Sequence, residues 1–70
     1  MYAVETEWLS VRQVAEELGM DYVRVLRWTK RKEDPLPTRL IAGNKKQGRV
    51  FRPELNEWII RNSQIYAETL

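Results

Sequence analysis

The sequence predicts a small α+β domain of three short helices and one β-hairpin. Three observations support this fold class. Two apolar stripes with helical spacing are separated by only a short turn at Gly19-Met20. The apolar runs 38–42 and 49–51 flank a turn with glycine at both ends, as in a hairpin. Pro53 then precedes a third apolar stripe, at a position where proline favours the start of a helix.

The first helix is predicted at Val11–Leu18. Ser10 and Gln13 have the spacing of a capping box, in which each side chain bonds the backbone N–H of the other residue. The apolar stripe of this helix consists of Val11, Val14, Ala15 and Leu18. Gly19 follows where the end of a helix favours a positive φ angle.

The second helix is predicted to begin after Asp21, since aspartate is a good N-terminal cap. Val25 and Trp28 form its inward pair. Its outward residues are mostly cationic, and they are Tyr22, Arg24, Arg27, Lys30 and Arg31. Two helices joined by a tight glycine turn form a helix-turn-helix, whose second helix can enter the major groove of DNA.

The β-hairpin is predicted after Pro35 and Pro37, which cannot continue the second helix. Residues 38–42 form its first strand and residues 49–51 its second. The connecting turn is basic because it contains Lys45 and Lys46. A hairpin in this position is the wing of a winged helix-turn-helix.

The predicted core draws on all three helices and on the returning strand. It consists of Val14, Leu18, Val25, Trp28, Phe51, Leu55 and Trp58. Trp8 either packs onto the first helix or lies against the third. The chain divides into a leader (1–7), the winged helix-turn-helix (8–62) and a tail or helix extension (63–70).

The C-terminal residues Ile60, Ile65, Tyr66 and Leu70 are apolar. If the third helix bends back, they join the core, and otherwise they form an exposed patch for another copy or a recombinase. We favour the patch, because the domain pattern is complete at Asn62.

Positive charge is concentrated in the middle of the chain. The formal net charge of the 70 residues is only +2, yet Arg24–Arg52 contains ten basic and two acidic residues. Both flanking segments are net acidic. Because duplex DNA is a line of phosphates with condensed counterions, such a block favours a nucleic-acid surface over a merely solvated face.

Composition excludes several other functions. The chain has no cysteine and no histidine, so a zinc site, a disulfide or a Ser–His or Cys–His nucleophile is not expected. The carboxylates Glu16 and Glu17 diverge on their helix, and Glu54 and Glu57 have no deep cleft. We therefore expect no catalysis, no cofactor and no small-molecule substrate. No apolar run spans a bilayer and no secretory signal is evident, which favours the cytoplasm.

The order and spacing of several short motifs resemble the excisionase family, which is related to the DNA-binding domains of MerR-type regulators. The motifs are Leu9-Ser10-Val11, Val14 to Gly19, Val25-Leu26-Arg27-Trp28, Leu36-Pro37, Arg49-Val50-Phe51-Arg52 and Leu55 to Ile59. This resemblance implies a recombination directionality factor of a bacteriophage or mobile element. Such a protein binds repeated sites in attachment DNA, bends the DNA and directs integrase toward excision without catalysis of its own.

The cationic residues divide into two predicted groups of contacts. Arg24, early in the second helix, is predicted to read a base, while Arg27, Lys30 and Arg31 contact the DNA backbone. Tyr22 contacts a phosphate or a thymine methyl group, or it packs on the adjacent loop.

In the wing, Lys45, Lys46 and Arg49 are predicted to follow the minor groove. Arg39 and Arg52, at its base, contact phosphates or pair with Glu54 and Glu57.

Two alternatives remain open from the sequence. One is a small phage or plasmid transcriptional regulator, or a terminase DNA-binding module. The other belongs to a different class, a protein-interaction adaptor whose basic face meets an acidic protein. The expected partners under the leading hypothesis are double-stranded DNA, other copies on adjacent sites and an integrase, with no membrane.

Overall fold

The computed structural model describes residues 7–43 and 48–69 and contains a small mixed fold of helices and a two-stranded sheet. The elements in chain order are strand β1 (Trp8–Ser10), helix α1 (Val11–Leu18), helix α2 (Tyr22–Thr29), strand β2 (Arg49–Phe51) and helix α3 (Arg52–Arg61). A 3₁₀ turn at Tyr66–Thr69 follows. No described helix is long and apolar enough to cross a membrane.

Helix α1 has the predicted bounds and the predicted caps. The Gln13 backbone N–H donates to the Ser10 hydroxyl at 3.0 Å, and the Ser10 N–H donates to Gln13 Oε1 at 2.8 Å. Gly19 ends the helix with φ of 64°, a left-handed conformation that glycine adopts without a Cβ penalty. Asp21 then precedes α2 in an extended conformation, although its side chain makes no capping hydrogen bond. The helix pair with its tight glycine turn is therefore confirmed.

The sheet differs from the predicted hairpin. Strand β2 pairs antiparallel with β1, and Leu9 lies opposite Val50 in the centre of the ladder. The predicted strand 38–42 contributes a single bridge, in which Arg39 and Arg49 exchange two backbone hydrogen bonds of 2.8 Å. The basic turn residues 44–47 lie outside the described residues. The hairpin prediction was wrong in its main partner, because a three-residue strand such as β1 has no readable period.

The core lies between the helices and the inner face of the sheet. Its fully buried side chains are Leu9, Val14, Ala15, Val25, Leu36, Val50, Leu55 and Trp58. The indole rings of Trp28 and Trp58 contact each other with centroids 5.2 Å apart, and Trp28 is half-buried beside the core. Four of the seven predicted core residues are thus fully buried, one from α1, one from α2 and two from α3.

Two predicted core residues are corrected. Leu18 is 37% exposed, because the last residue of α1 lies at the rim of the core rather than inside it. Phe51 is half-buried on the outer face of β2, where its ring packs on Trp8 with centroids 4.8 Å apart. Side chains alternate between the faces of a strand, so the inward position belongs to Val50. The ring contact of Trp8 is therefore with the outer face of β2, a partner that the sequence did not suggest.

Helix α3 is tied to three other parts of the chain by arginine–carboxylate pairs. At its start, Arg52 donates to Glu17 of α1 at 2.9 and 2.8 Å. In its first turn, Glu54 accepts a 3.1 Å hydrogen bond from Arg39 Nε. At its last residue, Arg61 donates to Asp34 at 2.8 Å through two nitrogens. Each pair is bidentate, a geometry that gives directional contacts. Helix α3 is thereby connected to α1, to the segment around the bridge residue Arg39 (the bridge strand), and to the loop that precedes this segment.

The loop between α2 and the bridge strand is fixed to α3 mainly through Asp34. The backbone carbonyl of Asp34 accepts from the buried Trp58 indole N–H at 2.7 Å, and its carboxylate also accepts from the Asn62 amide. Asp34 has φ of 46°, a left-handed conformation that Asp and Asn tolerate better than most residues. Of the two acidic residues within the basic block, Glu33 and Asp34, the second therefore fixes the loop to α3.

The end of α3 is fixed by the structure. The helix stops at Arg61, and the residues that follow do not continue its apolar stripe into the core. Ile60, Ile65 and Tyr66 are 76%, 67% and 77% exposed. Leu70 lies outside the described residues, so the exposed alternative holds for the three residues that the structure describes.

Candidate nucleic-acid interface

The outward face of α2 presents two arginines side by side. Val25 is the only fully buried residue of this helix, while Arg24 and Arg27 are exposed. Residues three apart lie on the same face of a helix, so the two guanidinium groups extend from one surface. Neither arginine makes a salt bridge or a hydrogen bond to another described residue. Two of the predicted helix contacts are therefore presented together and uncompensated.

Val23 lies on the same helix and is 48% exposed. It was absent from the predicted contacts. The signal was its spacing from Arg27, four residues on, which places both on the side opposite the core. An exposed valine in the first turn of such a helix can make apolar contact with a thymine methyl group.

Lys30 and Arg31 lie beyond the last residue of α2. Helix α2 ends at Thr29, and Lys30 is its C-terminal cap, with φ of −110°. The Arg31 guanidinium lies 5.4 Å from the centroid of the Trp58 ring, a cation–π contact that draws it toward α3. Helix α2 thus ends two residues before the charge run, and Arg31 contacts Trp58 of α3 instead of extending the basic helical face. Exposed Lys30, three residues after Arg27, stays a predicted contact of the DNA backbone.

The single bridge at the base of the predicted wing carries two further cations. Arg39 and Arg49 lie opposite each other in the single bridge, and Arg49 Nη1 donates to the Gly48 carbonyl at 3.1 Å. Lys45 and Lys46, which the sequence assigns to the minor groove, lie outside the described residues. A Cβ atom at Gly48 would overlap the Thr38 methyl group, so any other residue there requires the Thr38 side chain to shift.

Arg39 and Arg52 have acidic partners. The prediction that Arg39 pairs with Glu54 is confirmed. Arg52 pairs with Glu17, 35 residues away, and not with Glu54 or Glu57. These hydrogen bonds, together with the nearby guanidinium charge, lower the pKa of both the Glu54 and the Glu17 carboxyl below its usual value. Both carboxylates are therefore ionised at neutral pH and offset the charge of their arginines.

Arg12 joins the basic surface although it lies in the acidic N-terminal segment of the sequence. Its guanidinium carbon lies 4.4 Å from the centroid of the Tyr22 ring on α2. It makes no salt bridge within the described ranges 7–43 and 48–69. Charge counting along the chain could not find it, since only the packing of α1 on α2 brings it beside the second helix.

A concave pocket of about 350 Å³ lies where α1, α2 and the wing base meet. Its walls include Arg12 from α1, Tyr22 and Leu26 from α2, and Gly48 and Arg49 from the wing base. None of the described residues that line it is a carboxylate. A second pocket of about 320 Å³ lies across the molecule, between the end of α1 and α3, and its lining includes Leu18, Trp28 and Trp58.

Three described carboxylates, those of Glu17, Asp34 and Glu54, form ion pairs with arginines. Across residues 7–43 and 48–69, no group of three or more His, Cys, Asp or Glu side chains is arranged to hold a metal ion. Arg61 and Asn62 donate hydrogen bonds to Asp34 and lower the pKa of its carboxyl to about 2.

Comparison of the chain with protein-family models, curated proteins and solved structures finds no match in any of the three.

Proposed function

We propose that this protein binds duplex DNA as a small winged helix-turn-helix, with α2 as the recognition helix. The observation that carries the proposal is the distribution of arginine partners. Arg39 and the arginines at both ends of α3 are paired with carboxylates, whereas Arg24 and Arg27 on the outward face of α2 are not. A phosphate-binding face needs cations whose charge is not already offset by a carboxylate, and Arg24 and Arg27 meet this requirement.

The dimensions of α2 suit the major groove. An α-helix with its side chains is about 10–12 Å in diameter, which fits the about 12 Å width of the major groove of B-DNA. Arg24, in the first turn, can donate to guanine O6 and N7 in a bidentate fork, while Arg27, one turn later, is suited to phosphate. Exposed Val23 adds an apolar contact beside Arg24.

The proposed wing consists of the Arg39–Arg49 bridge and the turn beyond it. It follows the loop anchored by Asp34, which separates it from α2 along the chain. Its cations Lys45, Lys46 and Arg49 contact the adjacent minor groove in this proposal. Arg39 and Arg52 belong to this group in the sequence prediction, but their carboxylate partners reduce what they contribute.

A single domain of this size can bury only a limited area of its surface against DNA. One small DNA-binding module buries roughly 600–1,000 Å², so useful affinity requires adjacent copies or a partner protein. Together with the resemblance to excisionases, this favours a non-catalytic directionality factor that binds repeated attachment sites, bends them and directs integrase toward excision. A transcriptional regulator of the same fold would use the same face.

A salt titration of DNA binding tests the proposal. Fluorescence anisotropy with a labelled mixed-sequence duplex, from 50 to 400 mM salt, should give a log–log slope of about −4 to −6, as expected for about 5–7 phosphate contacts. A flat response, or no binding to any duplex, would overturn the DNA proposal and favour an adaptor for an acidic protein.

Protection mapping on the DNA beside the gene supplies a specific site for variant analysis. On that site, Arg24→Ala should reduce the preference over mixed-sequence DNA, whereas joint Lys45→Ala and Lys46→Ala substitution should weaken binding to both equally. Identical behaviour of the two variants contradicts the division into a reading helix and a positioning wing. An excision reaction with the integrase of the same element, with and without the protein, separates a directionality factor from a regulator, which would leave the yield unchanged.

A further inference from the structure

The pocket between α1, α2 and the wing base lies at a distinctive place relative to bound DNA. This inference rests on the proposed function, in which α2 enters the major groove and the wing follows the minor groove. Major and minor grooves are separated by one sugar–phosphate strand. A pocket whose walls come from α2 on one side and from Gly48 and Arg49 on the other therefore lies where that strand passes.

The chemistry of the pocket suits an anion. Arg12 and Arg49 both line it, the other walls are Tyr22, Leu26, Gly48 and the start of α1, and none is acidic. Arginine is the side chain best suited to phosphate, because its planar fork donates two parallel hydrogen bonds.

Arg12 is held in position by Tyr22. The 4.4 Å contact places the guanidinium over the aromatic face, where the ring quadrupole attracts a cation. Stacking uses the flat face of the guanidinium and leaves its N–H edges for an acceptor. No described residue accepts a hydrogen bond from Arg12. Tyr22 is itself half-buried and packed against the core, so the platform is fixed to the fold.

We propose that this pocket receives a backbone phosphate of the DNA strand between the two contacted grooves, with Arg12 as its ligand and Tyr22 as the residue that positions Arg12. Tyr22 then acts through Arg12 and not through a base or phosphate contact of its own. The pocket fixes the register of the protein on the duplex, because a phosphate contact positions the domain without reading sequence.

The test compares Arg12→Gln with a charge-matched control, Lys32→Gln, by anisotropy with the same mixed-sequence duplex. Lys32 is exposed in the loop whose neighbouring residues Arg31 and Asp34 contact α3, away from the pocket. Loss of one phosphate contact should make the log–log salt slope of Arg12→Gln shallower than that of the wild type by about 0.9. The ratio of wild-type to variant affinity should therefore be about eightfold larger at 0.1 M salt than at 1 M salt. Lys32→Gln should change the slope by less than half of that amount. Circular dichroism confirms that each variant is folded.

Substitutions at Tyr22 test its positioning role. Tyr22→Phe keeps the aromatic face and should retain the wild-type slope, whereas Tyr22→Leu should reproduce the Arg12→Gln slope. The double variant Arg12→Gln, Tyr22→Leu should bind no more weakly than Arg12→Gln alone, since both changes remove one contact.

The outcomes separate this inference from the proposed function. Wild-type binding with a steep slope, combined with equal slopes for Arg12→Gln and Lys32→Gln, would overturn the phosphate pocket and leave DNA binding intact. Equal losses in Tyr22→Phe and Tyr22→Leu would assign the contact to the tyrosine hydroxyl and overturn the positioning role. Absence of wild-type binding to any duplex would overturn both proposals together.

Discussion

Replacement of Trp58 by phenylalanine should destabilise this protein strongly. Trp58 is 3% exposed, and its indole N–H donates to the Asp34 carbonyl at 2.7 Å. Phenylalanine keeps an aromatic ring against Trp28 but removes the donor and part of the buried ring. The lost hydrogen bond to a part-buried acceptor costs about 1–2 kcal/mol, and the lost ring atoms cost about 1 kcal/mol more.

A total loss of about 2–3 kcal/mol is large for this chain. At about 0.05–0.15 kcal/mol per residue, 70 residues provide a free energy of unfolding of about 4–10 kcal/mol. The midpoint of thermal unfolding should therefore fall by about 10–20 °C, since each kcal/mol shifts a domain of this size by about 4–8 °C.

Trp28→Phe is the matched control. It removes the same atoms from the partner ring, but Trp28 is half-buried and its indole makes no hydrogen bond to a described residue. We expect a loss of about 1 kcal/mol. The assay is urea unfolding followed by far-UV circular dichroism, which does not depend on the number of tryptophans. Equal losses in the two variants would refute the assignment of a stabilising role to the Trp58–Asp34 hydrogen bond.

Three further predictions concern the loop, the wing base and the ion pairs. The folded-state pKa of Asp34, about 2, lies below the usual 3.8, so the hydrogen bonds of its carboxylate stabilise the fold above about pH 4 and are lost as the pH falls through 2. The difference in melting temperature between wild type and Asp34→Asn should therefore shrink from pH 5 to pH 2. A constant difference would contradict this. Glu54→Gln should release Arg39 for phosphate and make the salt slope of DNA binding steeper by up to about 0.9, whereas an unchanged slope would show that Arg39 lies away from the DNA. Gly48→Ala should lower the free energy of unfolding by about 1–3 kcal/mol, because the added Cβ overlaps the Thr38 methyl group. Thr38→Ser removes that methyl group but keeps the hydroxyl that donates to the Leu36 carbonyl, so it should restore stability in the double variant. Failure of this rescue in urea unfolding would place the strain elsewhere.

The helices were predictable because their signals are local. The capping box of α1, the positive φ of Gly19 and the proline in the first turn of α3 each depend on residues within one or two turns. Helical spacing likewise identified Val14, Val25 and Trp58 as core. Because these signals do not depend on tertiary contacts, they can be read from a single sequence.

The sheet and the arginine partners could not be read in this way. Strand β1 has three residues, too few to show an alternating pattern, and Ser10 also serves as the cap of α1. Arg52 finds Glu17 across 35 residues, and Arg12 reaches Tyr22 only because α1 packs on α2. Charge counted along a chain cannot separate an arginine that pairs with a carboxylate from one that faces solvent.

The exposed face of α2 has a consequence for how the proposed DNA target could change over evolutionary time. Only Val25 of its eight residues is fully buried, while positions 23, 24 and 27 are exposed. Substitutions at such positions typically alter folding free energy by no more than about 0.5 kcal/mol. If α2 binds DNA as proposed, substitutions at these three positions could change its sequence preference while helix α3 stays unchanged. A randomised library at the same positions would then sample new preferences without first requiring a more stable scaffold.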